Sequence, residues 1–169
     1  MNYENMTIKL KEAFSSADAK AHEHGNPSIE VEHLFHALLT QKDGVFPPLF
    51  DALHLVKEDF LVEVSHLIER LPKSYGSARG TISYSVNDLL LAADKERARF
   101  KDEFLSAEHV LLAMIDSKTA IGELLKRKNV KRNVYSLCVV YGCCNFACNY
   151  YIYYFINFKF NIYIIKWNI

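Results

Sequence analysis

An internal repeat constrains the fold of this chain more than any single motif does. The segment from Ile29 to Leu39 recurs 76 positions later, from Leu105 to Ile115, and both copies place apolar residues around a Glu-His pair. Self-similarity at a fixed offset indicates one structural unit used twice. No strand pattern appears before residue 134, so the repeated unit is predicted to be helical.

The start of each copy has the features of a helix N-terminus. Glu30 and Ser106 occupy the predicted N-cap positions, with an apolar residue before each cap and another five positions on, which is the spacing of a hydrophobic staple. Glu32 and Glu108 then fall in the first turn, where a carboxylate suits the positive end of the helix dipole. Both Glu-His pairs are therefore interpreted as parts of helix starts and not as catalytic groups.

The remaining helix boundaries follow from caps, Gly and Pro. The predicted helices run from Thr7 to about His24, Glu30 to about Thr40, Pro47 to about Leu53, Lys57 to about Arg70, Ser85 to about Lys101, Ser106 to about Asp116, and Ala120 to about Lys128. The fifth is assigned a capping box between Ser85 and Asp88.

Two finer assignments depend on apolar spacing within single helices. The fourth helix is given an apolar stripe of four residues, namely Phe60, Val64, Leu67 and Leu71. The seventh helix is matched to the third by pairing Ile121 with Val45 and Leu125 with Leu49.

The predicted fold class is all-α, with two tandem four-helix repeats packed with pseudo-two-fold symmetry. Helices this short cannot bury their apolar faces alone, so the two units are expected to share a core and to form grooves where they meet. Repeat 1 covers about 5–72, a Gly-containing linker covers 73–83, and repeat 2 covers about 84–133. The last helix of repeat 2 is due near residue 132, but its amphipathic pattern is degraded.

Charge argues against nucleic acid and anionic membranes as partners. Lys+Arg number 20 and Asp+Glu number 20, which gives a formal net charge of zero. The N-terminus has no basic-then-apolar signal peptide, so a cytoplasmic protein is expected.

The segment 134–169 differs in composition from the rest of the chain. It contains all four Cys and no Asp or Glu, and it is rich in Tyr and Ile. Three interpretations stay open: a C-terminal membrane anchor, an aggregation-prone β segment, or out-of-frame translation of A/T-rich DNA, which is favoured. The last would make the chain a truncated or frameshifted protein.

The two repeats resemble a known family. The run from Val31 to Leu39, followed by Gly44 to Leu49, resembles the first Clp N-terminal repeat, and Ala92 to Met114 resembles the second. The run from Lys101 to His109 is most similar to the branch of ClpB-type AAA+ disaggregases. The resemblance covers about residues 5–133, and its two signatures occur in the expected order.

This resemblance implies a substrate-docking domain that binds exposed apolar segments of unfolded or aggregated proteins for an ATP-driven ring. By position, it implies six candidate groove residues: Thr7, Leu10, Phe14, Leu90, Asp102 and Glu108. For the three apolar residues, plain core packing is an equally good interpretation. The rival from another class is a tail-anchored helical interaction protein at a membrane.

No enzyme, cofactor or metal is predicted. The sequence contains no Gly-x-x-x-x-Gly-Lys-Ser/Thr motif, so the ATPase machinery of that family is not expected in this chain. Four His lie between His22 and His36, but their spacing favours surface or cap positions over a metal site. The Cys spacing does not form a Cys-x-x-Cys pair, and no Ser-His-Asp arrangement follows from spacing alone.

Overall fold

The computed structural model describes residues 5–53, 55–74, 81–130 and 132. Within these ranges the chain forms seven helices and no extended strands, which confirms the predicted all-α class. The helices are α1 (Ile8–Glu23), α2 (Val31–Thr40), α3 (Phe46–Ala52), α4 (Lys57–Glu69), α5 (Tyr84–Phe100), α6 (Ala107–Asp116) and α7 (Ala120–Arg127). The segment 134–169, with its three interpretations, lies outside the described residues, as does most of the helix predicted near residue 132.

The long first helix of each repeat begins at an equivalent cap. The Thr7 Oγ1 accepts a hydrogen bond from the Leu10 N–H at 3.3 Å, and the Ser83 Oγ accepts one from the Val86 N–H at 3.2 Å. Thr7 and Ser83 are 76 positions apart. The predicted cap at Ser85 is wrong by two residues, because the hydroxyl that bonds the free N–H of the first turn belongs to Ser83.

The same helices also end at equivalent positions. Gly25 follows α1 with φ 70°, and Lys101 follows α5 with φ 62°. A left-handed residue at this position ends a helix, and glycine adopts it without steric cost. Gly25 and Lys101, which are 76 positions apart, are therefore equivalent helix ends.

The two repeats contact each other through a reciprocal pair of isolated parallel bridges. Met6 pairs with Leu105, and Ile29 pairs with Ile82. At the 76-residue offset, Met6 corresponds to Ile82 and Ile29 corresponds to Leu105. Each bridge thus joins the lead-in of the first helix in one repeat to the lead-in of the second helix in the other, which is the pattern of an isologous two-fold contact.

Repeat 1 fills its share of the core with aromatic rings. Phe35 of α2 lies 5.9 Å from Phe46 and 6.4 Å from Phe60, and Phe50 lies 4.9 Å from Phe60, measured between ring centroids. These edge-on contacts join α2, α3 and α4. The counterpart of Phe35 in repeat 2 is the fully buried Leu111, so the second half of the core is aliphatic.

The apolar stripe of α4 differs from the prediction in its second half. Phe60, Val64 and Ile68 are buried, whereas Leu67 and Leu71 are only partly buried. A strict four-residue spacing keeps these three side chains in one row along the helix.

The predicted match between α3 and α7 is wrong by one position. The buried residues of α3 are Phe46, Leu49 and Phe50, and the same spacing recurs in Ile121, Leu124 and Leu125 of α7. The offset here is 75 residues, one fewer than the 76 that relates the earlier helices. The connection between α6 and α7 is also shorter, with three residues against five between α2 and α3.

Charged contacts join α4 of repeat 1 to the end of α7 in repeat 2. The Glu63 carboxylate contacts Arg127 and lies 2.9 Å from the Lys128 ammonium. The same ammonium lies 5.8 Å from the centroid of the Phe60 ring. In the part of the chain that the structure describes, no helix is long and apolar enough to cross a membrane.

The shorter α6–α7 connection generates a prediction at Gly122. A Cβ at this position would lie 2.3 Å from the Ser117 carbonyl oxygen and 2.6 Å from the Ser117 Oγ. Helix propensity alone favours Ala over Gly by about 1 kcal/mol. We expect the clash to prevail, so that Gly122→Ala destabilises the domain by about 1–3 kcal/mol, measured by chemical denaturation. Glu123→Ala, at the exposed neighbouring position, is the control, and a more stable Gly122→Ala variant would contradict the close packing.

Candidate functional site

A buried histidine organises the corner between the first two helices of each repeat. In repeat 1 the His33 Nδ1 accepts a hydrogen bond from the Glu30 backbone N–H at 3.0 Å. The Nδ1 is therefore the unprotonated nitrogen, and the Nε2 donates to the Asn26 Oδ1 at 3.1 Å. The imidazole thus closes the N-terminus of α2, in the place that Glu or Gln takes in a usual capping box.

Repeat 2 reproduces this arrangement with different polar groups. The His109 Nδ1 accepts from the Ser106 backbone N–H at 3.1 Å, and the Nε2 lies 2.9 Å from the Asp102 carboxylate. Asp102 and Asn26 are 76 positions apart. The predicted caps Glu30 and Ser106 are confirmed, as are Glu32 and Glu108 in the first turns.

The second corner also places a serine, a histidine and a carboxylate in contact. The Ser106 Oγ lies 2.9 Å from the His109 Nδ1, and the His109 Nε2 lies 2.9 Å from the Asp102 carboxylate. The Nδ1 faces the Ser106 backbone N–H, and the Ser106 side chain accepts from the third residue of the helix. Repeat 1 builds the same geometry from Glu30, which has no nucleophilic hydroxyl. We therefore assign the contact to helix capping and not to catalysis.

The two corners differ in what covers them. In repeat 1, Asn26 is 5% exposed; its side-chain N–H donates to the Pro72 carbonyl at 2.9 Å, and the Ser74 N–H donates to the Gly25 carbonyl at 2.8 Å. The chain that follows α4 therefore lies over this corner. In repeat 2 the Asp102 side chain is 51% exposed. Among the described residues, the α5–α6 corner is the open one.

Electrostatics follow the same difference in cover. Burial raises the pKa of the Glu32 carboxyl in the covered corner. Burial, helped by the positive charge of neighbouring His24, His36 and Lys20, lowers the pKa of His33 to about 4. Glu108, the counterpart of Glu32, is only partly buried, so repeat 2 presents its acidic side chains closer to solvent.

The structure brings three of the six predicted site residues to the open corner. The Thr7 N–H donates to the Leu105 carbonyl at 2.9 Å, and the Leu105 N–H donates to the Asn5 carbonyl at 2.7 Å. Asp102 and Glu108 lie three residues on either side of Leu105. Thr7, Asp102 and Glu108 therefore converge on one neighbourhood, although Thr7 is remote from the other two in sequence.

The three apolar candidates lie in the core. Leu10 is 0% exposed, Leu90 is 1% exposed and Phe14 is 7% exposed. In this conformation they support the helices and do not present an open apolar surface, which favours the packing interpretation that the sequence had left open. A ligand could contact Leu10 or Leu90 only if helices moved apart.

Two exposed apolar side chains at the same corner were not predicted. Ile8 directly follows Thr7 and is 74% exposed, and Phe104 directly precedes Leu105 and is 47% exposed. Ile8 lies outside the apolar stripe of α1 that contains Leu10, Phe14 and Ala17, and this position in the sequence could have indicated its exposure. Phe104 lies between helices, where helical periodicity assigns no face.

No three His, Cys, Asp or Glu side chains are placed to hold a metal ion among the described residues. The four Cys are outside them.

Comparison with known proteins shows the family. The model of the Clp repeat (R) N-terminal domain matches residues 5–128. The ClpB chaperone of Clostridium perfringens is 32% identical over 139 residues, which span 79% of this chain and 16% of that protein. The chain belongs to the Clp repeat N-terminal domain family, whose domain is non-catalytic.

Solved structures share the fold. The Hsp104 N-terminal domain of Candida albicans has a TM-score of 0.66 at 20% identity, covering 78% of this chain and 86% of that one. A ClpV N-domain solved in complex with a VipB peptide has a TM-score of 0.63 at 14% identity, covering 77% and 81%. At these identities the likeness concerns the fold alone.

The buried cap at His33 predicts a pH dependence of stability. The ordinary pKa is 6.5 and the folded-state pKa is about 4, so between these values the unfolded chain takes up a proton that the folded chain does not. The free energy of unfolding therefore falls as the pH falls from about 6.5 to 4, by about 3 kcal/mol in total. We expect His33→Gln, which retains a capping side chain without the titration, to flatten the decline in denaturant midpoint from pH 6.5 to 5.

The exposed His66 supplies the matched control. Its side chain is 67% exposed, so His66→Gln should retain the slope of the parent chain. Parallel pH profiles for His33→Gln and the parent would rule out His33 as the source of the dependence.

Proposed function

We propose that this domain docks unfolded or aggregated polypeptides for a ClpB-type disaggregase by binding their exposed apolar segments at the α5–α6 corner. The observation that carries this proposal is the difference in cover between two otherwise equivalent corners. The first is covered by Pro72 and Ser74. The second exposes Phe104 and Asp102 beside Thr7 and Ile8.

The chemistry of the corner suits extended polypeptide. Ile8 and Phe104 can cover apolar side chains of a ligand, and such contacts carry little sequence information. The hydroxyl of Thr7 and the carboxylates of Asp102 and Glu108 can accept hydrogen bonds from backbone N–H groups that an unfolded segment leaves unpaired. A small surface of this kind binds many partners weakly, as a docking domain requires.

The family supports a polypeptide ligand. The structurally similar ClpV N-domain was solved with a VipB peptide. The chain spans about a sixth of the ClpB relative it matches, so delivery of the captured polypeptide to an ATP-driven ring is part of the proposal. A cytoplasmic location and a role in stress response follow from the same proposal.

Removing the two exposed apolar side chains tests the site. We expect the double variant Ile8→Ser, Phe104→Ser to bind fluorescein-labelled β-casein about tenfold more weakly than the parent, measured by fluorescence anisotropy. Two largely exposed side chains supply about 1.5 kcal/mol of contact energy. Val62→Ser is the matched control, because Val62 is 59% exposed on α4 and lies away from the corner. Equal losses in both variants would show that surface apolarity in general, and not this corner, retains casein.

A second variant separates the charge of Asp102 from its structural contact. Asp102→Asn reproduces the Asn26 of repeat 1 and keeps an acceptor for the His109 Nε2. We expect it to fold normally and to weaken casein binding by about two- to fivefold, because one charge-assisted hydrogen bond is lost. Unchanged binding would remove Asp102 from the site.

A further inference from the structure

The opposite end of the α5–α6 pair contains a groove that the docking site does not use. It has a volume of about 510 Å³ and lies between the start of α5 and the end of α6. Leu89 and Ala113, both buried, contribute its apolar floor. Polar and aromatic side chains form its rim, among them Tyr84, Asp88, Asp116 and Arg132.

In repeat 1, the side chain of Gln41 spans the position that corresponds to this groove. The Gln41 Nε2 donates to the Lys9 carbonyl at 3.0 Å and to the Glu12 carboxylate at 3.3 Å, so it connects the end of α2 to the start of α1. The position 76 residues later is Ser117. Its short side chain donates to the Met114 carbonyl at 2.8 Å and contacts the Thr119 hydroxyl at 2.7 Å, and does not reach α5.

The groove already holds one cation. The Arg132 guanidinium lies 2.6 Å from the Glu96 carboxylate and contacts Asp116, so two of its three carboxylates are neutralised. Asp88, the third, forms no ion pair with any described residue. Lys118, the other cationic side chain of the lining, is exposed and lies just after the end of α6.

An exposed aromatic ring lies one helical turn from Asp88. Tyr84 is 80% exposed and precedes Asp88 by four positions, which places the two side chains on one face of α5. A carboxylate next to an exposed aromatic face is a combination that binds a guanidinium or ammonium group.

We propose that this groove binds a polypeptide segment in which an arginine or lysine lies next to apolar side chains. The cationic group of the ligand pairs with Asp88 and lies over Tyr84. The neighbouring apolar side chains contact Leu89 and Ala113. The groove is thus a second polypeptide surface, chemically distinct from the α5–α6 corner.

A pair of isosteric peptides tests the proposal on the full chain. The probes are fluorescein-labelled hexapeptides with a central Leu-Arg-Leu or Leu-citrulline-Leu, since citrulline keeps the shape of arginine without its charge. We expect the arginine peptide to bind about 5- to 20-fold more tightly, measured by anisotropy at low salt. Asp88→Asn should remove most of this preference and leave the citrulline affinity unchanged.

Copying the arrangement of repeat 1 supplies an independent test. Ser117→Gln should place a side chain across the groove and weaken both peptides, whereas Gln41→Ser, the reciprocal change in repeat 1, should weaken neither. Circular dichroism and the thermal midpoint check that both variants fold. If Ser117→Gln does not fold, the Asp88→Asn comparison still decides the outcome.

Three results would overturn the proposal. The first is equal affinity of the parent for both peptides, and the second is a preference for the arginine peptide that Asp88→Asn retains. The third is an absence of peptide binding together with a lower thermal midpoint in Ser117→Gln, which would mean that the chain itself fills the groove. None of them bears on casein capture through Ile8 and Phe104, so failure here and failure of the proposed function are distinguishable.

Discussion

The structure depends on two short helices that are buried on nearly every side. Eight of the ten residues of α2 are buried, and so are eight of the ten in α6. A short helix with apolar side chains on most of its sides is not stable alone in water, and each of the other five described helices contacts one of these two. The reciprocal bridges at Met6 and Ile29 hold the repeats in the register that accomplishes this.

Burial on this scale creates a problem at the helix ends, and the buried histidines solve it. The first N–H groups of α2 and α6 have no partner within their helices and no free access to water. The Nδ1 of each histidine, His33 or His109, accepts a hydrogen bond from the backbone N–H of the cap residue. The Nε2 bonds to the side-chain oxygen of Asn26 or Asp102. A neutral imidazole can do both at once, because it carries one acceptor and one donor on opposite sides of the ring. The low pKa of His33 is the consequence of placing that ring where a proton cannot be hydrated.

The sequence was sufficient for the seven described helices, because repetition and local chemistry define them. Thr7, Ser106 and the first-turn glutamates are read from short windows, and the structure agrees. The sequence was insufficient wherever the position of a residue depends on contacts with a segment distant in the chain. The cap of α5 is Ser83 and not Ser85, and only the geometry of the first turn separates two nearby serines. The alignment of α3 with α7 shifts by one residue, because the equivalent positions are those that are buried and not those at the 76-residue offset. The exposure of Phe104 has no periodic signal, because this residue lies in the connection between α5 and α6.

Duplication explains where binding surfaces can arise in this fold. Two identical repeats would present identical surfaces, so any difference between equivalent positions shows where the two have diverged. At one end of the helix pairs, Pro72 and Ser74 cover the repeat 1 corner, whereas the repeat 2 corner is open among the described residues. At the other end, Gln41 spans the repeat 1 position, whereas Ser117 leaves a groove. Within the described residues, both differences leave the repeat 2 position open and the repeat 1 position closed, although they involve unrelated residues. Repeat 1 thus has the aromatic core and, among the described residues, the covered helix ends, and both open positions lie beside α5 and α6.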